Sequence, residues 1–392
     1  MTVSEIARAT RPADELLMEA ERLAGVFRDR AGEHDRDGSF PFENFEDLRA
    51  AGLLNLTVPA DLGGEGQGLG VSARVLQVLA TGCPSTALVL AMQYLQHAGL
   101  ARSRRWPPEV YEEVVTASMR GIALINALRV EPELGTPARR GLPATTARRT
   151  AGGWSLSGRK VYSTGAPILS YFAVWAKTDE DVPRVGSFLV PRGTPGIEYE
   201  ATWDHLGMRA TGSHDVILAD VEIPTEFAVD VRAPSEWGTD PAAGIGNSLA
   251  ISAIYYGIAA SARDWIVRFA QERTPSNLGK PLATLPRFHS AIGEIETLLL
   301  TNERLIYGLA AAVDRDGPTA ERGREAAMVK FVTTNNDVRA VQIAVELAGN
   351  PGLTRHSALE RHLRDVLCAR IHTPQDDSVL TLAGRAALAV TS

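Results

Sequence analysis

Cysteine is almost missing from this chain: 392 residues contain only Cys83 and Cys368, far apart and each without a second cysteine nearby. Neither a disulfide framework nor a cysteine-ligated zinc site follows. An excess of positive charge is lacking too. The 40 Lys plus Arg stand against 47 Asp plus Glu, a formal net charge of -7, so nothing electrostatic favours nucleic acid or an anionic membrane as partner. The opening MTVSEIARATRPADELL has no basic-then-apolar leader pattern, and no uninterrupted apolar run reaches bilayer-spanning length. The expectation is a cytoplasmic protein with no membrane partner. No Ser-His-Asp order, metal-ligand spacing or Walker-type loop occurs, which lowers hydrolase, metalloenzyme and nucleotide-triphosphatase readings, and no metal is expected.

What is present is length and a pattern that changes twice. A chain of 392 residues can bury two or three separate cores. From Ala13 to about Glu113 apolar residues recur at helical spacing, as in Leu16, Leu17, Ala20, Leu23 and Val26. From Met119 to about Val231, short runs such as GIALINAL, WSLSGRKVY, YFAVWAKT, GSFLVP and HDVILADVEI are punctuated by Gly, Pro and Asp, the mark of short strands. From Gly244 onward Ile251, Ile254, Ile258, Ala262, Trp265 and Phe269 return to spacings of three and four. The reading is an α+β multidomain protein: an N-terminal α-helical domain over 1–118, a middle antiparallel β-barrel over 119–235, and a C-terminal four-helix bundle over 236–392.

The most informative stretch is Thr202–Pro224, TWDHLGMRATGSHDVILADVEIP, in which a Gly-centred turn and Arg209 lead into an alternating strand that stops at Pro224. Any antiparallel strand explains the alternation, but not the ordered string. It resembles the middle-domain signature of the acyl-CoA dehydrogenase family, G-M-R-x-[ST] followed by a strand ending in V-x-[IV]-P. The block FPFENFEDLRAAGLLNLTVPADLGGEGQGL is similar to that family's opening, and the resemblance covers nearly the whole chain. It implies an oligomeric flavoprotein, a homotetramer as in the family, with flavin between barrel and bundle and an acyl-CoA or carrier-protein thioester as the small-molecule substrate.

The resemblance also assigns residues. Glu131, Pro132, Gly135 and Thr136 match E-P-x-x-G-[ST], whose backbone N–H groups and hydroxyl meet the flavin and its pyrophosphate. Gly135 permits close backbone approach and Thr136 supplies a donor. The run Gly158–Ala166 is similar to G-x-K-x-[WFY]-I-T-[NG]-A, which makes Tyr162, Ser163 and Thr164 cofactor candidates, Tyr162 packing on the ring and Thr164 reaching its N5 edge. Ser213 matches a position near flavin or pantetheine, with His214 on the opposite side of the strand. Arg273 resembles an arginine that reaches the partner's FAD diphosphate, although two extra residues precede Gly279. Leu347–Leu353, with Gly349 and Gly352, resembles the turn that cradles the far end of FAD. It carries one inserted residue, which leaves FMN as an alternative to FAD. Arg102, Arg104 and Arg105 read as a solvated helix end, and Arg209 as a structural ion-pair partner.

One departure governs the activity. Glu360–Asp365 followed by VLCARIHTPQDD aligns with [VL]-x-R-x-x-R-D-x-x-x-x-x-I-Y-E-G-T, so the position of the usual catalytic Glu holds Thr373. An alcohol is far too weak a base to remove an α-proton. Some members place the Glu on the first bundle helix, and counting back from Gly257 puts Asn247 there. Three readings follow. A dehydrogenase of acyl thioesters would borrow Asp376 or Asp377 as base. A two-component monooxygenase would take reduced flavin from a reductase, bind O2 and need no such base; His372, in a segment similar to H-T-L-H-D-P, would then act beside the flavin, because histidine titrates near working pH. His97, on a helix that faces the flavin pocket in such oxygenases, is a further catalytic candidate. The third reading is a catalytically silent subunit of a heteromeric flavoprotein.

Overall fold

The computed structural model describes residues 10–133, 142–238 and 240–389. Five helices come first: α1 (Ala13–Asp37), α2 (Phe42–Ala50), α3 (Leu69–Ala80), α4 (Pro84–Ser103) and α5 (Pro108–Arg120). Local chemistry sets their ends. Asp14 and Glu15 sit in the first turn of α1, where carboxylates favour the helix dipole, and Gly38 closes it with φ 65. α3 begins at a glycine, and its first N–H groups, those of Leu69 and Gly70, donate to the Asp314 carboxylate at 2.8 Å each.

Eight strands follow: β1 (Leu124–Leu128), β2 (Thr146–Arg149), β3 (Gly153–Lys160), β4 (Leu169–Thr178), β5 (Val185–Pro191), β6 (Ile197–Glu200), β7 (Asp215–Pro224) and β8 (Asp230–Arg232). The sheet runs β6-β7-β3-β2-β4-β5-β8, with β1 beside β4. This corrects the expected antiparallel barrel in two ways. The sheet does not close, and β4 pairs in parallel with both β1 and β2. One long strand serves two short ones, β1 along Leu169–Val174 and β2 at Lys177–Thr178.

The C-terminal region contains α6 (Pro241–Glu272), α7 (Pro286–Asp316), α8 (Ala320–Ala348), α9 (Ala358–Leu367) and α10 (Asp376–Ala387). Three long helices pack on one another with the ten-residue α9 against α6 and α8. Asp240 caps α6 by accepting from the Ala242 N–H at 3.0 Å, and Thr319 and Ser357 cap α8 and α9 in the same way. By length and composition alone α6 could cross a bilayer, but 72% of its most apolar window is buried in the protein, as a core helix requires.

The three regions are pinned together at one joint. The Met208 N–H donates to Asp365 at 2.6 Å, Arg364 pairs with Asp35 at 2.5 Å and with Glu360, and the Arg209 guanidinium donates to the Asp35 carbonyl. Gly207 lies so close that a Cβ there would come within 2.3 Å of the Arg364 carbonyl oxygen. Only glycine fits. The two longest sequence signatures, around Met208 and around Arg364-Asp365, therefore meet each other as a structural clasp. Burial pushes the Asp365 carboxyl up to about 6, against the pull of the Met208 N–H.

Candidate functional site

A cavity of about 720 Å³ opens between α3 and α4 on one side and β1, α6 and the turn at Thr373 on the other. That volume suits a small-molecule or cofactor site. Ala91, Met92, Leu95, Ala98 and Gly99 of α4 and Ala243, Gly246 and Ala250 of α6 make most of the wall apolar. Small residues on α6 leave the room: a Cβ at Gly246 would come within 3.1 Å of Leu95.

Asn126 on β1 lines this cavity, and its amide donates to the Thr164 carbonyl at 3.0 Å, which ties the cavity to the 162–165 turn. The turn carries unusual backbone. Tyr162 has φ 57, a left-handed conformation that is rare for an aromatic residue and clusters at functional sites. It is held by N–H bonds from Ser163 to the His214 carbonyl and from Gly165 to that of Thr211. The Tyr162 ring consequently stands 56% exposed, edge-on to Trp203 and His205, which stack on each other with centroids 3.6 Å apart. Beneath it the hydroxyls of Thr164, Ser213 and Thr211 form a chain at 3.1 and 2.8 Å. The Ser163 hydroxyl is buried without a partner among the described residues. His214 leaves on the other side, accepting from the Trp203 N–H and stacking on Tyr199.

On the opposite wall, the Asn247 amide donates to the Thr373 carbonyl at 2.6 Å, and both residues line the cavity. No Asp, Glu or His is among the described lining residues; its ionisable side chains are Arg102, Arg129 and Tyr94. Arg102 is the exposed helix end that the sequence predicts, and it also borders the cavity and pairs with Asp240 at 2.6 Å. Tyr94 donates to the Leu53 carbonyl, and burial holds its pKa well above the usual phenol value.

Tyr162, Ser163, Thr164 and Ser213 adjoin the cavity through Asn126 and are not themselves among its lining residues, and the other candidates stand elsewhere. His372 is one residue from Thr373 but turns away from the cavity to the Tyr255 hydroxyl, 2.8 Å from Nε2, and burial, then the Lys330 charge, pushes its pKa down to about 4. It is neutral at working pH, already hydrogen-bonded, and outside the cavity lining. Asp376 opens α10 with its carboxylate on Asn335 at 3.0 Å and Lys330 at 3.5 Å, outside the cavity lining, so it is not poised as the substitute base. His97 also lies outside the cavity lining. α4 turns positions 91, 95, 98 and 102 to the cavity, and 97 faces away toward Tyr111, ring centroids 6.3 Å apart. It is fully buried, neither ring nitrogen is hydrogen-bonded among the described residues, and burial lowers its pKa to about 4.

Glu131 turns its carboxylate inward. It pairs with Lys160 at 2.5 Å and accepts from Thr145 and the Ala144 N–H; burial alone would raise its pKa, but these bonds pull it below the usual value. Its side chain is therefore a scaffold element of the sheet. Gly135 and Thr136 lie outside the described residues. Arg273, at the end of α6, and Gly349 and Gly352, after α8, are remote from the cavity. With 1.5 Å per residue, Arg273 is about 39 Å along α6 from Asn247.

Sequence reasoning passed over Arg129 and Gln96, both on the cavity wall. The signal for Arg129 was available: a charged residue directly after the apolar strand β1 and before the Glu131-Pro132 pair. Gln96 had no signal beyond its place on α4.

Three family models match the chain: the acyl-CoA dehydrogenase N-terminal domain over residues 15–103, the middle domain over 130–221 and the C-terminal domain over 247–387. The chain is 34% identical to the putative acyl-CoA dehydrogenase YdbM of Bacillus subtilis, over 92% of this chain and 93% of that one. It is 33% identical to L-evernosamine nitrososynthase of a Micromonospora species, over 93% of this chain and 88% of the other. Among solved structures, KijD3 in complex with FMN and dTDP-3-amino-2,3,6-trideoxy-4-keto-3-methyl-D-glucose superposes with a TM-score of 0.85 at 29% identity, covering 100% of this chain and 98% of that chain.

Proposed function

This chain belongs to the acyl-CoA dehydrogenase family, whose members are flavin-dependent oxidoreductases, and within it we propose that it is a two-component monooxygenase using reduced flavin and O2. The carrying observation is the cavity wall: Asn247 and Thr373, where motif register places the family's alternative bases, hydrogen-bond each other, and no carboxylate joins them among the described lining residues. α,β-Dehydrogenation of a thioester needs a base at the α-carbon. Oxygen transfer does not. The likeness to a nitrososynthase and to the FMN complex of KijD3 supports the same reading.

The residues fit a flavin, FAD or FMN. The exposed Tyr162 face, the Thr164-Ser213-Thr211 hydroxyl chain and the orphan Ser163 hydroxyl offer a planar aromatic surface and polar contacts for a ring system. When bound, reduced flavin supplies the two electrons that monooxygenation requires. The chain's own part is to hold and enclose. Asn247 fixes the Thr373 turn against α6, Asn126 fixes the 162–165 turn, and the apolar faces of α4 and α6 exclude water from the reacting pair. The distance of Arg273, Gly349 and Gly352 from their own chain's cavity supports a homo-oligomer, a tetramer by family resemblance, in which one copy's α6 end serves another's flavin.

A second reading, thioester dehydrogenation, has the likeness to YdbM behind it. Oxygen uptake separates the two. Purified protein supplied with FMN, NADH and a separate flavin reductase should bind reduced FMN and couple O2 consumption to an oxygenated product of an amino- or sulfur-containing substrate. Loss of reduced-flavin affinity, with acyl-CoA-dependent dye reduction in its place, would reverse the assignment.

A further inference from the structure

Arg129 lines the cavity from the end of β1 and is open to it, yet it makes no hydrogen bond and no ion pair among the described residues. Its one ring contact is the Trp175 indole, 5.0 Å from the guanidinium carbon. The nearest acidic influence, Asp230, is already engaged by Arg232 at 2.8 Å. The guanidinium itself stays exposed.

The rest of the wall sharpens the contrast. Thr57 donates to the Tyr94 carbonyl, Ser72 to that of Gly68, Gln67 to that of Arg11, Asn126 to that of Thr164 and Asn247 to that of Thr373. Arg102 has Asp240. That leaves the Arg129 guanidinium, the Gln96 amide and the Thr373 hydroxyl as lining side-chain donors without a protein acceptor among the described residues, and of these only Arg129 is charged. An exposed guanidinium on the cavity wall, with no protein counter-ion among the described residues, is free to pair with an anion that enters.

We propose that Arg129 is the anion-recognition residue of this cavity, and that the substrate carries an oxyanion, a carboxylate or phosphate ester, which the planar guanidinium meets with paired N–H bonds. The proposal rests on the cavity being the substrate site of the oxygenase proposed above. Its test needs no turnover, so the two stand or fall separately.

The test is calorimetric titration of the intact protein with inorganic pyrophosphate at fixed ionic strength, and in parallel with FMN and riboflavin, for wild type, Arg129→Met and Arg129→Lys. Pyrophosphate should bind wild type saturably, Arg129→Met should weaken it at least about tenfold, as expected for losing a charge-assisted pair, and Arg129→Lys should fall between. FMN affinity should stay within about twofold, on the same charge-assisted scale. Unchanged pyrophosphate binding in Arg129→Met overturns the proposal. So does weakened FMN binding with intact riboflavin binding, which would assign the guanidinium to the flavin's phosphate. If Arg129→Met does not fold, Arg129→Lys decides: pyrophosphate affinity equal to wild type overturns the proposal, and a several-fold loss at an unchanged melting temperature supports it.

Discussion

The Asn247 side-chain amide reaches the Thr373 carbonyl across 2.6 Å, joining α6 to the turn before α10 over 126 positions of sequence. A carboxylate at either position would point into the cavity that both residues line. The amide fastens the wall instead of serving as a base.

Thr373→Glu leaves that backbone contact in place and adds a carboxylate at the cavity. A general base contributes roughly 10²–10⁴-fold. The variant should therefore gain acyl-CoA-dependent dye reduction at least about tenfold above wild type. Steady-state assays with short-chain acyl-CoA check this, and no gain would mean that something other than the missing base bars dehydrogenation.

Asp376 is fixed by Asn335 and Lys330 outside the cavity. Asp376→Asn should keep turnover and its pH profile while lowering stability by about 3–5 kcal/mol, because the fully buried Lys330 loses its counter-ion. Loss of activity with a shifted pH profile would restore Asp376 as a base.

Glu131 and Lys160 are a buried pair, so removing one partner strands the other's charge. Lys160→Met should cost about 3–5 kcal/mol in denaturant unfolding, and adding Glu131→Leu should recover much of that loss. Equal losses in the single and double variants would show that the pair acts independently of its charge.

His97 supplies a pH test with a definite sign. Its folded pKa, about 4, lies below the ordinary value of 6.5, so the folded state binds fewer protons between the two and loses stability as pH falls through that window. His97→Leu removes this penalty and leaves no stranded ring nitrogen. Its stability relative to wild type should rise as pH drops from 7 to 4.5, by up to about 1.4 kcal/mol per pH unit. A pH-independent difference would contradict the buried, neutral imidazole, and lost turnover at pH 7 would return His97 to the site.

The sequence revealed the long elements because their period repeats many times. The Ile251-to-Phe269 stripe marks α6, and the alternation in HDVILADVEI marks β7. β2 and β8, with four and three residues, are too short for a period to register. The parallel pairing of β1 with β4 joins residues about 45 apart and has no local signature. Within the site, the motif strings located Tyr162, Thr164 and Ser213, which do cluster. The face of His97 was not legible because α4 is apolar nearly all round, so its phase emerges only from packing. Asn247 and Thr373 were each readable as a position without a base, but their contact was not, since it depends on how α6 lies against the turn after α9.

The most direct test of the oxygenase assignment is anaerobic: protein loaded with oxidised flavin, mixed with saturated acyl-CoA thioesters from short to long chain, and followed in the flavin's visible absorption band. The band should persist with every thioester, because no base among the described cavity residues can remove the α-proton. Rapid bleaching by any one of them would show that the protein is a dehydrogenase after all.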